Sequence, residues 1–179
     1  PIKRKLAIAS SNRSHLLDVA REMSNTVGYD VVFYTFTPKW RLKNYNIDIS
    51  HTVSLFWFCV LGILVNRIFP SEISRELQRR FLDNAASFLL KECDVLICQS
   101  PYFNRTMKKA RKKYGAKIIL DRGSTHVRKF QEYAKEYSKH IMPEWYMRFD
   151  EAQYFYADYI AIASEHVKNS FLDFGTSAK

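Results

Sequence analysis

The sequence predicts an α/β fold in which a parallel sheet carries helices on both faces. Short apolar runs alternate with amphipathic segments along most of the chain. The runs over residues 95–99 and 117–120 are almost continuously apolar, as in strands buried on both sides. Gly28 and Gly115 each stand between a helical and a strand-like segment, where left-handed helix ends are common.

In the first half, we expect strands over residues 5–9 and 30–36. Ser14 is placed to cap the helix between them, whose apolar positions include Leu17, Ala20 and Val27 and which Gly28 ends. Residues 37–52 are irregular and rich in aromatic side chains. Two helices are then predicted over about 53–66 and 71–91, with Ser71 as the cap of the second.

In the second half, strands are predicted over 95–99, 117–120 and 159–163. Pro101 is expected to open a helix that runs to Tyr114, and further helices fall near 127–137 and 144–157. Ser164 is placed to cap a last helix that Gly175 ends. Gly28 and Gly115 each follow a helix and precede a strand. Because Gly175 also follows a helix, we expect a further strand beyond Lys179. Residues 1–179 would then form one domain of a longer protein.

Composition excludes several classes of protein. The chain has 179 residues, 47% hydrophobic residues and a net charge of +10, which is inconsistent with a disordered or fibrous chain. The three cysteines have no CxxC spacing, which favours a reducing, cytoplasmic setting over a disulfide framework. The five histidines are scattered, and no metal site is predicted.

The longest apolar run, residues 53–65, allows two interpretations. It is too short for the roughly 20 residues that a membrane-spanning helix needs. It is either a buried helix or one that inserts into a membrane interface, which Trp57 and Arg67 would suit.

Ligands of open α/β sheets bind beyond the carboxyl ends of the strands. The segment 121–126 is the richest of these ends, because it combines charged, hydroxyl and imidazole groups. Arg122 could clamp an anion, Gly123 could admit a ligand close to the backbone, and His126 could exchange a proton with a hydroxyl. The alternative is a polar loop in which Ser124 or Thr125 caps the next helix and His126 faces solvent.

The first such end, Ser11-Asn12-Arg13, lacks the glycine patterns of dinucleotide and nucleoside-triphosphate sites. Arg13 could still join backbone N–H groups in holding an anion, although a solvated surface cation is the simpler interpretation.

A strongly basic helix is predicted after Pro101. Its apolar side carries Phe103, Met107, Ala110 and Tyr114. Its other side is either a solvated outer face or a contact surface for nucleic acid or an anionic membrane. Because no nucleic-acid motif accompanies it, we expect no nucleic acid and favour the membrane. The cations are Arg105, Lys108, Lys109, Arg111, Lys112 and Lys113.

Residues 95–175 resemble a known family. The segment KIILDRGSTH, followed by RFDEAQYFYADYIAIASEHVKNSFLDFG, is similar to the amino-terminal domain of glycosyltransferase family 4. The positions that match are Glu151, Ala157, Asp158, Ser164 and the segment 167–171, with Phe155 where Tyr is common. Residues 1–95 resemble the family in topology only, and the first loop lacks the glycines found in many members.

The resemblance implies a Rossmann-like domain that forms the amino-terminal half of a GT-B fold. Such a domain binds the acceptor, a sugar or a lipid-linked sugar, and His126 matches a histidine that faces the cleft. The nucleotide-diphosphate sugar that serves as donor substrate lies mainly on a carboxy-terminal domain, and this domain needs no cofactor. The resemblance also implies retaining transfer in the synthesis of cell-surface polysaccharide or glycolipid, at the inner face of the membrane. A basic nucleic-acid-binding module and a non-catalytic Rossmann-like domain remain the alternatives.

Overall fold

The computed structural model describes residues 3–11, 14–45, 49–138 and 141–176. Within these ranges, six strands form one parallel sheet in the order β3-β2-β1-β4-β5-β6. The predicted α/β class with a Rossmann-like parallel sheet is therefore confirmed. The strands are β1 (Arg4–Ser10), β2 (Tyr29–Thr35), β3 (Thr52–Ser54), β4 (Val95–Gln99), β5 (Lys117–Arg122) and β6 (Tyr159–Ile162).

The described ranges also contain eight α-helices and two short 3-10 turns, Lys43–Tyr45 and Ile49–His51. The helices are α1 (His15–Asn25), α2 (Lys39–Leu42), α3 (Phe56–Ile68), α4 (Glu72–Leu89), α5 (Asn104–Tyr114), α6 (Val127–Ser138), α7 (Glu144–Tyr156) and α8 (Glu165–Asp173).

Helices cover both faces of the sheet, as predicted. Leu6 and Ile8 of β1 pack with Leu16 and Leu17 of α1 on one face. The alternate residues of β1, including Ala7, lie in a second cluster with side chains from α3 to α8. This division places the ends of β1 and β4 at the point where the chain changes from one face to the other.

The predicted helix ends are largely confirmed because they depend on local hydrogen bonds. Ser14, Ser71 and Ser164 each accept a hydrogen bond from a backbone N–H in the first turn of α1, α4 and α8. Gly115 ends α5 in the left-handed conformation, at φ 67°.

Three local predictions are wrong, and one of the two interpretations of residues 53–65 is excluded. Residues 52–54 form the edge strand β3 through pairing with β2, whereas a helix was predicted from 53. Val27 lies beyond the end of α1 and is 92% exposed. Helix α5 begins at Asn104 and not at Pro101. Helix α3 is not a buried helix, since its fully buried residues are only Cys59 and Gly62.

Candidate functional site

The carboxyl ends of β1, β4 and β5 meet at one edge of the sheet. After β1 the chain enters α1 on one face, and after β4 it enters α5 on the other. In parallel α/β sheets, such a reversal leaves a crevice between the two strand ends, where ligands commonly bind.

Gln99 at the end of β4 holds the loop that follows β1. Its Oε1 accepts hydrogen bonds from the Ser11 backbone N–H at 3.1 Å, the Ser11 hydroxyl at 3.0 Å and the Ser10 hydroxyl at 3.1 Å. Ser11, a predicted site residue, is thus fixed at the crevice. Asn12 and Arg13, predicted with it, lie outside the described residues.

Arg122 at the end of β5 is buried, and its guanidinium points into the protein. Nη1 donates to Asp150 Oδ2 at 2.9 Å and to the Ser100 hydroxyl at 3.0 Å, while Nη2 donates to the Thr125 carbonyl at 3.1 Å. Burial raises the pKa of Asp150, although the charge of Arg122 opposes this shift. In this arrangement Arg122 fastens the loop 123–126 to α7 and does not present its charge to the crevice.

The loop after β5 divides the predicted site residues into two groups. Gly123 and Ser124 are exposed, whereas Thr125 and His126 are buried. His126, and neither Ser124 nor Thr125, caps α6, since its Nδ1 accepts the Arg128 backbone N–H at 3.2 Å.

The His126 ring is 3% exposed, so the alternative in which it faces solvent is wrong. It stacks on Phe174 with ring centroids 4.8 Å apart and contacts Phe171 and Tyr154 edgewise or at a tilt. Burial lowers the pKa of His126 to about 4. At neutral pH the ring is uncharged, and because Nδ1 accepts a hydrogen bond, Nε2 carries the proton and can donate.

His126 lines a groove beside the edge strand β6, which we call the β6 groove. Glu151 lies in the same groove, where Arg128 donates to its two oxygens at 2.7 and 2.9 Å. These hydrogen bonds lower the pKa of Glu151, which therefore remains a carboxylate near the neutral imidazole. The polar lining also includes Asp158, Lys168 and Thr176, and the apolar and aromatic lining is Tyr154, Phe155, Ala157, Tyr159, Ile160, Ile162, Phe171, Leu172 and Phe174.

A second cavity, of about 540 Å³, adjoins the loop after β1, and we call it the edge cavity. It lies between α4, the turn that follows β4 and the start of α7. Its aromatic lining is Phe36, Tyr102, Trp145 and Tyr146, and its polar lining is Ser11, Asn66, Glu72, Arg75, Gln78 and Arg79.

Arg79 is the most deeply placed cation of the edge cavity. Its guanidinium carbon lies 4.4 Å from the centroid of the Tyr146 ring, and its Nη2 lies 3.3 Å from Glu76 Oε2. Its Nη1 is buried without a hydrogen-bond partner among the described residues. A buried N–H group of this kind needs an acceptor, which a water molecule or a ligand in the cavity can provide.

The cations of α5 have mixed surroundings. Lys109 donates to the carbonyls of Ser87 and Phe88 at the end of α4, and Arg111 pairs with Asp158 at 2.7 Å. Arg105 donates to the Asn84 side chain, whereas Lys112 and Lys113 are exposed. Lys108 lies over the Tyr156 ring. Much of this basic face therefore stabilises the packing of α5 against its neighbours.

Sequence reasoning missed the edge cavity. Its residues come from three segments, 66–82, 101–102 and 142–146, and from Ser11 and Phe36, which are distant from one another in the sequence. Arg75 and Arg79, alternating with Glu72 and Glu76, have the pattern of an ordinary solvated helix face. No local pattern distinguishes Arg79, whose side chain is 13% exposed, from Arg75, whose side chain is 61% exposed.

Neither the known protein families nor the curated protein sequences gave a match to this chain. In the described residues, no group of three or more potential metal ligands comes together. The candidate site is therefore defined by its geometry alone.

Proposed function

We propose that this chain is the acceptor-binding domain of a nucleotide-sugar-dependent retaining glycosyltransferase. In this proposal a carboxy-terminal domain, beyond residue 179, holds the donor and closes over the carboxyl edge of the sheet. The acceptor is a sugar or a lipid-linked sugar, bound in the edge cavity.

The observation that carries the proposal is the lining of the edge cavity. Its volume of about 540 Å³ is in the range of small-molecule sites. Aromatic rings such as Trp145 and Tyr146 offer flat apolar surfaces for the C–H faces of a sugar ring. Arg79 offers a planar group that can form paired hydrogen bonds with neighbouring hydroxyls or with an anionic substituent. The amides of Asn66 and Gln78, which hydrogen-bond to each other at 3.5 Å, offer their remaining N–H groups.

The loop after β5 has a positioning role in this proposal. Arg122 holds the loop through Asp150 and Thr125, so that Gly123 and Ser124 remain exposed at the sheet edge. His126 supplies a neutral Nε2–H donor at the β6 groove, suited to a hydroxyl rather than to an anion. The proposed catalytic contribution of this domain is orientation, while charge stabilisation of the leaving phosphate falls mainly to the other domain.

Arg79→Gln in the full-length protein tests the acceptor site. We expect the KM for the acceptor to rise about thirtyfold, because a charge-assisted hydrogen bond is lost, with the KM for the nucleotide sugar unchanged. Arg80→Gln is the matched control, because Arg80 also pairs with Glu76 but its side chain is exposed and does not line the cavity.

Equal effects of the two substitutions on the acceptor KM would contradict the acceptor site.

Residues 1–179 alone should not transfer sugar, because the donor site is assigned to the other domain. Turnover of a nucleotide sugar by this chain alone would contradict the two-domain proposal.

A further inference from the structure

Helix α3 presents an apolar stripe to solvent. Trp57 is 73% exposed, and Leu61 and Ile68 are each 66% exposed. Phe58, Leu64 and Val65 lie on the same stripe, since positions 57, 58, 61, 64, 65 and 68 recur at helical spacing. The opposite side of α3 packs closely on α4, where Gly62 approaches the backbone of Gln78. The stripe therefore lies on a helix that is packed against the rest of the protein.

Trp40 of α2 extends this apolar surface. Its ring centroid lies 5.2 Å from that of Phe56 and 6.3 Å from that of Trp57. We call Trp40 and the exposed stripe of α3, together with Phe69, the α2–α3 surface.

The described charges of α2, α3 and the segment between them are all positive. Lys39, Arg41 and Lys43 flank Trp40 and are exposed, and Arg67 is exposed near the end of α3. Between Tyr34 and Ser71 the sequence has one acidic residue, Asp48, which lies outside the described residues. An apolar stripe bordered by cations complements an anionic lipid surface, where acyl chains receive the stripe and headgroups receive the cations.

We propose that the α2–α3 surface docks this protein on an anionic membrane. No helix in the described ranges is long and apolar enough to cross a bilayer. The 13 residues of α3 extend about 20 Å, so the helix lies in the plane of the interface with its stripe toward the acyl chains. Trp40 and Trp57 lie at the headgroup boundary, which aromatic side chains with a polar N–H favour.

A second copy of the chain fits this surface less well. A symmetric dimer would bring the same surface of both copies together, and its border of cations would face an identical border. The sequence already offered an interfacial helix over residues 53–65 with Trp57 and Arg67, and the proposal keeps it. It differs from the expectation for the basic helix after Pro101, because the cations come from α2 and α3. Several cations of α5 have partners within the protein, including Lys109 and Arg111.

The test is the partition of the purified chain between buffer and vesicles, measured by sedimentation and by tryptophan fluorescence. The vesicles are phosphatidylcholine alone or mixed with phosphatidylglycerol. We expect binding to the mixed vesicles, with a blue-shifted emission that lipids brominated on their acyl chains quench. High salt should weaken the binding, because the headgroup contacts are electrostatic.

Two variants separate the apolar and charged contributions. Leu61→Gln with Ile68→Gln should weaken partition to the mixed vesicles about tenfold, because two exposed apolar side chains no longer enter the interface. Lys39→Gln with Arg41→Gln and Lys43→Gln should weaken partition to the mixed vesicles about a hundredfold and leave any binding to phosphatidylcholine alone unchanged. Val27→Gln with Tyr137→Gln is the matched control, since both residues are exposed and lie outside α2, α3 and the helix α4 that packs on α3.

The membrane proposal does not depend on the sugar-transfer proposal, and each can be contradicted without the other. It is overturned if the native chain binds no vesicles, or if the control variant loses as much binding as Leu61→Gln with Ile68→Gln. It is also overturned if the native chain is a dimer in solution and Leu61→Gln with Ile68→Gln makes it monomeric without changing vesicle binding. Circular dichroism and thermal unfolding must show that each variant remains folded.

Discussion

At the scale of single residues, His126 illustrates how one side chain can serve both structure and a candidate site. Its Nδ1 caps α6, its ring lies among three aromatic rings, and its backbone N–H donates to the Ser170 hydroxyl at 2.9 Å. These contacts fix the ring in an uncharged state. A protonated imidazole would lose the cap acceptor and carry a charge into an apolar environment.

The depressed pKa of His126 predicts a dependence of stability on pH. The unfolded chain binds the proton near pH 6.5, whereas the folded chain binds it only near pH 4. The stabilising effect is complete above pH 6.5 and is lost as the pH falls through 4, a change of about 3 kcal/mol in the free energy of unfolding. Urea unfolding between pH 7 and pH 4 measures it.

His126→Gln should be less stable at pH 7 but should lose less stability between pH 7 and pH 4 than the native chain. His166→Gln is the control, because it makes the same change at an exposed imidazole. Identical pH profiles for the native chain and His126→Gln would contradict the assignment. The comparison of variants removes the contributions of carboxyl groups that titrate in the same range.

At the scale of secondary-structure elements, one helix provides the cap for the first turn of another. Helix α5 begins after Phe103, which provides no side-chain cap. Instead, Asp83 of α4 accepts the backbone N–H of Arg105 at 2.7 Å and that of Thr106 at 2.9 Å. The Thr106 hydroxyl also donates to Asp83 at 2.8 Å. A buried carboxylate on one helix therefore satisfies the first turn of the next.

Asp83→Ala should lower the free energy of unfolding by about 2–4 kcal/mol, because it leaves two backbone N–H groups and a hydroxyl without their acceptor. Amide hydrogen exchange should accelerate at Arg105 and Thr106 in particular. Glu136→Ala, at an exposed position of α6, is the control and should change stability by less than about 0.5 kcal/mol. If the two substitutions have the same effect, Asp83 is not the cap of α5.

The helix ends that the sequence predicts correctly are those that local interactions determine. The caps at Ser14 and Ser71 and the left-handed end at Gly115 involve neighbours within a few residues. Strand β3 was missed because its three residues form a strand only through pairing with β2, some 20 residues away in the sequence. The sequence could not decide whether α3 is buried or exposed for a related reason. Hydropathy does not show whether the apolar side chains of a helix pack against other parts of the protein.

At the scale of the whole molecule, α3 connects the edge cavity to the α2–α3 surface. Asn66 lines the cavity, while the adjacent Arg67 and Ile68 lie on the exposed side of the helix. If both proposals hold, a docked protein holds the cavity close to the headgroups. A lipid-linked acceptor could then place its sugar in the cavity while its acyl chains remain in the bilayer.

This arrangement predicts that two kinds of variant act differently on two kinds of acceptor. Leu61→Gln with Ile68→Gln should reduce sugar transfer to a vesicle-embedded acceptor about tenfold, because less protein is docked. It should leave transfer to a water-soluble analogue of the same acceptor unchanged, because the cavity is intact. Arg79→Gln should reduce transfer to both acceptors and leave vesicle binding unchanged. Equal losses with both acceptors in the α3 variant would show that the stripe supports the fold of the cavity rather than the delivery of a lipid.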